Sequence, residues 1–208
     1  TLTLTAQGLN TCSGVILTST RTLLFNPLPT VNAGADATIC AANTYTLDAT
    51  IADCIPLWSG GSGFFNNPNL EDPVYTPGAA DIAAGFVTLT LTGTGTGPCL
   101  GETDSDNITI VIDPMPTANA GPDDAFCVTA PIALTGTSAV YHSSLQWITS
   151  GDGNYSNTSI LSPTYMPGNV DFNNGTVTLT LRAFGRLACA AESVVDTKIM
   201  SVSAYPVV

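Results

Sequence analysis

The chain has 208 residues, of which 44% are hydrophobic and only 10% charged, and its formal net charge is −12 at pH 7. Sixteen acids against four bases (Arg21, Arg182, Arg186 and Lys198) exclude a nucleic-acid backbone as partner, and the apolar content excludes an acidic disordered tail. No stretch approaches the roughly 18 apolar residues of a membrane span, so membrane insertion of this segment is not expected.

Thr1-Leu-Thr-Leu-Thr5 returns as Thr88-Leu-Thr-Leu-Thr92 and as Thr178-Leu-Thr-Leu-Arg182. Pro29-Thr-Val-Asn-Ala-Gly34 returns as Pro116-Thr-Ala-Asn-Ala-Gly121, Trp58 as Trp147, and Tyr75-Thr-Pro-Gly78 as Tyr165-Met-Pro-Gly168. A period of nearly ninety residues marks each unit as a small domain, too large to be one layer of a solenoid. The chain divides into the C-terminal strands of a truncated repeat (1–29), one repeat (30–115) and a second (116–208), and reads as an excerpt of a longer array.

Helical periodicity is nearly absent, and period-two alternation is frequent. In chain order, strands are predicted at Tyr45-Thr-Leu-Asp48, Leu57-Trp-Ser59, Val87-Thr-Leu-Thr-Leu-Thr92 and Asn107-Ile-Thr-Ile-Val-Ile112. In the second unit they are predicted at Pro131-Ile-Ala-Leu-Thr135 and Leu145-Gln-Trp-Ile148. Along Val87–Thr92 the apolar residues take one face and the threonines the other, as in a half-buried antiparallel strand. Gly-Ser-Gly, Gly-Asp-Gly, Asn-Pro-Asn and Thr-Pro-Gly punctuate these runs as turns. Short strands with frequent turns predict an all-β fold of two-sheet sandwiches. Between units, Ile112-Asp-Pro-Met-Pro116 offers two prolines and no flexible spacer, which predicts an extended, semi-rigid junction and sandwiches arranged end to end.

The succession Asn119-Ala-Gly-Pro-Asp123, Trp147, Gly151-Asp-Gly153, Tyr165-Met-Pro-Gly168 and Val177-Thr-Leu-Thr-Leu181 resembles PKD-type immunoglobulin-like domains. Phe65-Asn-Asn-Pro-Asn69 and Asp81-Ile-Ala-Ala-Gly85 narrow the resemblance to the repeats of giant Bacteroidetes cell-surface adhesins, the SprB-like gliding-motility group. The resemblance covers essentially the whole chain. It implies a stalk or filament on the bacterial cell surface, exported by the type IX route across the outer membrane, with no catalytic residues to carry over. The first full unit departs from it by having Gly60-Gly-Ser-Gly63 where the second has Gly151-Asp-Gly153.

The six cysteines favour disulfides and an oxidising compartment. Cys40 and Cys99 share one unit and Cys127 and Cys189 the other, which suggests one bridge per unit. In the immunoglobulin strand order, however, Cys40 precedes the second strand at one pole and Cys99 follows the sixth at the other. A bond from Cys40 to Cys189, between units, is the alternative, because bridged Cα atoms lie within about 7 Å. A partner for Cys12 is expected outside the chain, and Cys54 is either free or a competitor for Cys99.

Asp36, Asp123 and Asp124 at the start of the units, with Asp104, Asp106 and Asp113 near the last strand, are the candidates for a structural Ca²⁺. No other cofactor is expected. His142, in a Ser/Thr-rich stretch, is expected to be a loop histidine, and Trp58 and Trp147 are expected in the cores. Phe64 and Phe65 remain unassigned between core and surface. A Lys–Asn isopeptide crosslink is excluded for residues 30–115, which hold no lysine. The expected partners are neighbouring repeats, then surface polysaccharide or other filament chains. The alternatives to a stalk are a carbohydrate- or protein-binding module and the spacer domains of a secreted hydrolase.

Overall fold

Val87, Leu89 and Leu91 alternate with threonines, and in the computed structural model, which describes residues 1–127 and 130–203, they line the buried face of a ten-residue strand. The main strands are β1 (Leu2–Gln7), β2 (Ile16–Arg21), β3 (Ala37–Cys40), β4 (Cys54–Gly60), β5 (Phe86–Gly95) and β6 (Thr103–Asp113). They continue as β7 (Asp124–Phe126), β8 (His142–Thr149), β9 (Thr176–Gly185) and β10 (Ser193–Val202). In the first full unit one sheet runs β3–β6–β5–β4, with β5 antiparallel to both neighbours. The opposite layer is organised by residues 45–52. Tyr45–Thr46 pairs with Val74–Thr76, which also holds Phe64–Phe65, and Thr50–Ala52 pairs with Thr30–Asn32. The second unit repeats the plan, with β7–β10–β9–β8 in one sheet. The chain is thus all-β, a tandem of immunoglobulin-like sandwiches. Residues 204–208, at the end of the second predicted unit, lie outside the described residues.

Every strand predicted from alternation has a counterpart, but two kinds of element were not predicted. β3 and β7 are edge strands running parallel to β6 and β10. Their starts are fixed by carboxylates: Thr109 N–H donates to Asp36 Oδ1 and Ile199 N–H to Asp123 Oδ1, both at 2.8 Å. The helices α1 (Ala79–Ala84) and α2 (Asn169–Asn174) have six residues each, too short to give a helical period. Each ends on a left-handed glycine, Gly85 (φ 79°) or Gly175 (φ 71°), the usual stop signal.

Both layers contribute to one core per unit. Trp58 faces Leu91 across the β4–β5 pair, and Trp147 faces Leu181 across β8–β9. Each Trp is 2% exposed and donates its indole N–H to a backbone carbonyl, of Glu71 or Ile160. Phe65 then stacks between Trp58 and Tyr75, with centroids at 6.3 and 4.9 Å. Tyr155 does the same between Trp147 and Tyr165, at 5.9 and 4.9 Å. Phe65 is therefore a core residue and Phe64 a surface one. In 1–29, β1 and β2 form only a two-stranded sheet. Leu2 and Leu4 are exposed there, although Leu89 and Leu91 at the same repeat positions are fully buried.

One core position breaks the pattern. Lys198 on β10 stands where β6 has Ile108, and it is as buried as that isoleucine. Sinking the stem of a lysine into an apolar layer constrains its ammonium to escape along it. Lys198→Ile, restoring the residue of the first unit, is expected to stabilise the second unit by about 1–3 kcal/mol in denaturant titration.

Candidate functional site at the junction between units

The junction is assembled from three pieces of chain. β6 ends at Asp113 and leads through Pro114-Met-Pro116 into Thr117–Asn119, the first strand of the next sandwich. β3 runs alongside the end of β6, so that Cys40 pairs with Asp113. From the following unit, the β9–β10 hairpin loop reaches back with a 3-10 turn, Leu187–Cys189. Cys40 and Cys189 are disulfide-bonded, with Cα atoms 4.7 Å apart across 149 residues of sequence. Both are buried. Ala188 N–H donates to Asp113 Oδ2 at 2.9 Å, Cys189 Sγ lies 3.4 Å from the Asp113 carbonyl, and Cys40 Sγ packs 3.4 Å from Met115 Sδ.

This bond corrects the expectation of one bridge within each unit. Cys40 lies at the downstream junction, beside Asp113, whereas Cys99 lies at the upstream one, against Asn26 and Pro27. Two cysteines at opposite poles of a sandwich cannot meet. Cys12, Cys54, Cys99 and Cys127 are thiols. Cys54 Sγ lies 3.8 Å from the Thr30 carbonyl, and burial pushes its thiol up from the ordinary value. In the chain-entropy picture, closing a loop of 149 residues stabilises the folded chain by about 5 kcal/mol.

Each candidate calcium ligand accepts a hydrogen bond from a backbone amide. Asp36 and Asp123 hold the edge strands, as above. Asp104 Oδ2 and Asp106 Oδ2 accept from the amides of Val31 and Ala33, each at 2.9 Å, tying the first strand of the unit across to β6. Asp196 repeats the second of these bonds with Ala120. Asp124 Oδ1 accepts from Ala125 N–H. Among the described residues no three His, Cys, Asp or Glu gather as a metal site.

A buried carboxylate that sequence reasoning did not single out organises the top of each unit. Asp81, in the first turn of α1, accepts from Tyr75 Oη at 2.6 Å, Gly78 N–H at 2.9 Å and Ser62 N–H at 2.9 Å. Burial pushes its carboxyl up, but these hydrogen bonds outweigh it and hold the group below the ordinary carboxylate value. Desolvation and the Asp81 partner push the Tyr75 hydroxyl up to about 12. Asp171, Tyr165 and Gly168 repeat the arrangement, with distances of 2.7 and 3.0 Å, and burial likewise brings Tyr165 to about 12.

The Gly-x-Gly loops close over this hub. A Cβ at Gly61 or Gly63 would strike the Tyr75 hydroxyl, and one at Gly151 would strike Asp171. The residue between the glycines caps the helix from a distance: Ser62 Oγ accepts from Asp81 N–H, and Asp152 Oδ1 accepts from Val170 N–H. Ser and Asp are interchangeable helix caps, which explains the departure of the first unit. Gly151-Asp-Gly153 is a helix-capping turn.

His142 opens β8 opposite Gly185, and so belongs to a strand instead of a loop. A surface depression of about 320 Å³ lies in the crease between Leu28–Thr30 and Glu102–Asp104, at the upstream junction.

No protein-family model matches the chain, and no curated protein matches it. Among solved structures it is similar to domains EC1–3 of protocadherin gamma C5, with a TM-score of 0.45 and 12% identity over 85% of this chain and 68% of that one. It is similar to mouse cadherin-23 EC22–24, with a TM-score of 0.43 and 16% identity over 86% and 65% of the two chains. For titin domains I67–I69 the values are 0.44 and 10% over 85% and 66%.

Two outcomes follow from the junction and the hub. Cys40→Ser should lower stability to unfolding by about 3–5 kcal/mol in non-reducing buffer and by little in reducing buffer. The hub makes stability depend on pH at both extremes. Asp81, with its folded value depressed, contributes fully above the unfolded carboxyl value of 3.8, and the contribution is lost as pH falls through the folded one. Tyr75, with its folded value raised, contributes fully below 10.0, and loses this as pH rises towards about 12. Tyr75→Phe should cost about 1–3 kcal/mol at neutral pH and flatten the alkaline limb of the first unit's unfolding profile.

Proposed function

We propose that the chain is a stretch of the stalk of a long bacterial cell-surface adhesin, holding a distal binding region away from the cell and bearing tension during attachment or gliding. The observation that carries this reading is the Cys40–Cys189 bond between consecutive sandwiches. A bridge inside one domain would protect that domain alone. A bridge from an edge strand of one unit to the hairpin that the next unit folds back onto the junction carries force covalently past the residues between. Everything between residues 40 and 189 is then shielded from extension.

A disulfide at this place also supports an oxidising, extracellular setting. The proline linker, held by Asp113 and Met115 against the stapled loop, supports a stiff junction in place of a free hinge. The adhesin setting itself comes from the likeness of the repeats to those of Bacteroidetes adhesins. A sugar-binding platform has less support, because Trp58 and Trp147 are sealed in the cores.

Single-molecule stretching between the chain ends tests the mechanical reading. Reduction should release roughly 500 Å of additional contour length, the 149 residues of the closed loop at about 3.5 Å each. Equal extension with and without reductant would sink the reading.

A further inference from the structure

Three hairpin loops of this chain share one build, and only one of their cysteines is bonded. Cys12, Cys99 and Cys189 each end a three-residue 3-10 turn. The first residue of each turn has a positive φ: 55° at Asn10, 58° at Gly97 and 53° at Leu187. A leucine in that region is uncommon and is held there by the loop around it. In all three, the amide three residues past the cysteine (Val15, Glu102 or Glu192) donates to the cysteine carbonyl.

The seats of these cysteines also match. Cys189 Sγ lies 3.4 Å from the carbonyl of Asp113, the last residue of β6. Cys99 Sγ lies 3.9 Å from the carbonyl of Asn26, the residue at the same repeat position, and 3.4 Å from that of Pro27. Cys99 is thus docked on the preceding junction as Cys189 is docked on the next, but as a thiol. The other half of the bond recurs as well. Cys127 follows β7, which runs parallel to β10 as β3 does to β6, and Ser203 N–H donates to the Phe126 carbonyl to extend that pairing. Cys127 is exposed, whereas Cys40, under its partner loop, is not.

We propose that Cys99 and Cys127 are open halves of this same bond. Cys99 takes the strand cysteine of a preceding copy of the repeat unit, and Cys127 takes the loop cysteine of a following copy. The staple then passes from every unit to the next. Because Cys127 lies inside the loop closed by Cys40 and Cys189, consecutive loops overlap, and no unit is left outside a covalent ring. Each bond forms as two thiols give two protons and two electrons to a small-molecule disulfide, which leaves as two thiols. The proposal deepens the stalk reading and rests on it.

The repeat register gives the test. Val208 corresponds to Ala118 and Thr1 to Thr88, so residues 119–208 can be appended to the full chain, or residues 30–87 placed before it, in frame with the units. The appended copy carries Ala190→Ser and the preceding one Ala42→Ser, both at exposed positions, to distinguish their peptides by mass. After oxidation with glutathione disulfide, peptide mapping should show Cys127 bonded to the added Cys189 and Cys99 to the added Cys40, beside the original Cys40–Cys189 bond. Cys127→Ser should leave the added Cys189 free to alkylation.

In extended chains whose original bond is complete, an alkylatable Cys127 beside the added Cys189, or an alkylatable Cys99 beside the added Cys40, would overturn the propagation and leave the single staple and the stalk reading intact. Covalent dimers through Cys127 would also overturn it, since the bond would then join chains and not units. Absence of the Cys40–Cys189 bond from the unextended chain would remove the stapled stalk and the proposal together.

Discussion

A single covalent constraint, the bond from Cys40 to Cys189, ties the end of an edge strand in one sandwich to a hairpin loop in the next. Much else at the junction depends on it or serves it. β3 must run parallel to β6 to bring Cys40 beside Asp113, and Asp36 fixes where that strand begins. Asp113 then receives the amide of Ala188, so the loop is oriented by a hydrogen bond as well as by sulfur. Met115, between the two linker prolines, packs on the Cys40 sulfur. Two prolines alone would stiffen the backbone of the linker without deciding the angle between units. The bond and its neighbours supply that second constraint.

Inside each sandwich a different device does the ordering. The buried Asp81 or Asp171 gathers a tyrosine hydroxyl and the helix start at one point. A carboxylate at 7% exposure, or 1% for Asp171, is costly unless hydrogen bonds replace its water. Those bonds come from separate parts of the chain, so the hub sets where strand, loop and helix meet. The two hubs differ in one detail. Ser62 N–H reaches Asp81 Oδ1, while the matching oxygen of Asp171 has no partner and lies over Gly151. The second unit thus carries the less satisfied hub, and also the lysine in the core.

Most of the sandwich was legible because burial on one face writes itself into alternating residues. Val87–Thr92 and Asn107–Ile112 announce their faces directly, and the tryptophans mark the strand that packs beneath them. The edge strands were not legible. Ala37–Cys40 is short, and its pairing is set by an amide that reaches Asp36 from seventy-three positions away. The helices were missed because six residues hold less than two turns, and their capping partner, Ser62 or Asp152, sits in another loop. The amide partners of the acidic residues were hidden for a related reason: Asp36, Asp104, Asp106 and Asp123 accept from amides seventy-three to seventy-six positions away, and spacing does not announce such pairs.

By itself, the sequence determined the repeat, the sandwich class, the core tryptophans and the positions of the cysteines, since each is written in period, alternation or residue identity. Which cysteine meets which was decided only by the tertiary structure. A disulfide depends on Cα atoms brought within a few ångströms, and Cys40 and Cys189, 149 residues apart, are neighbours only because one sandwich ends where the next folds its hairpin back.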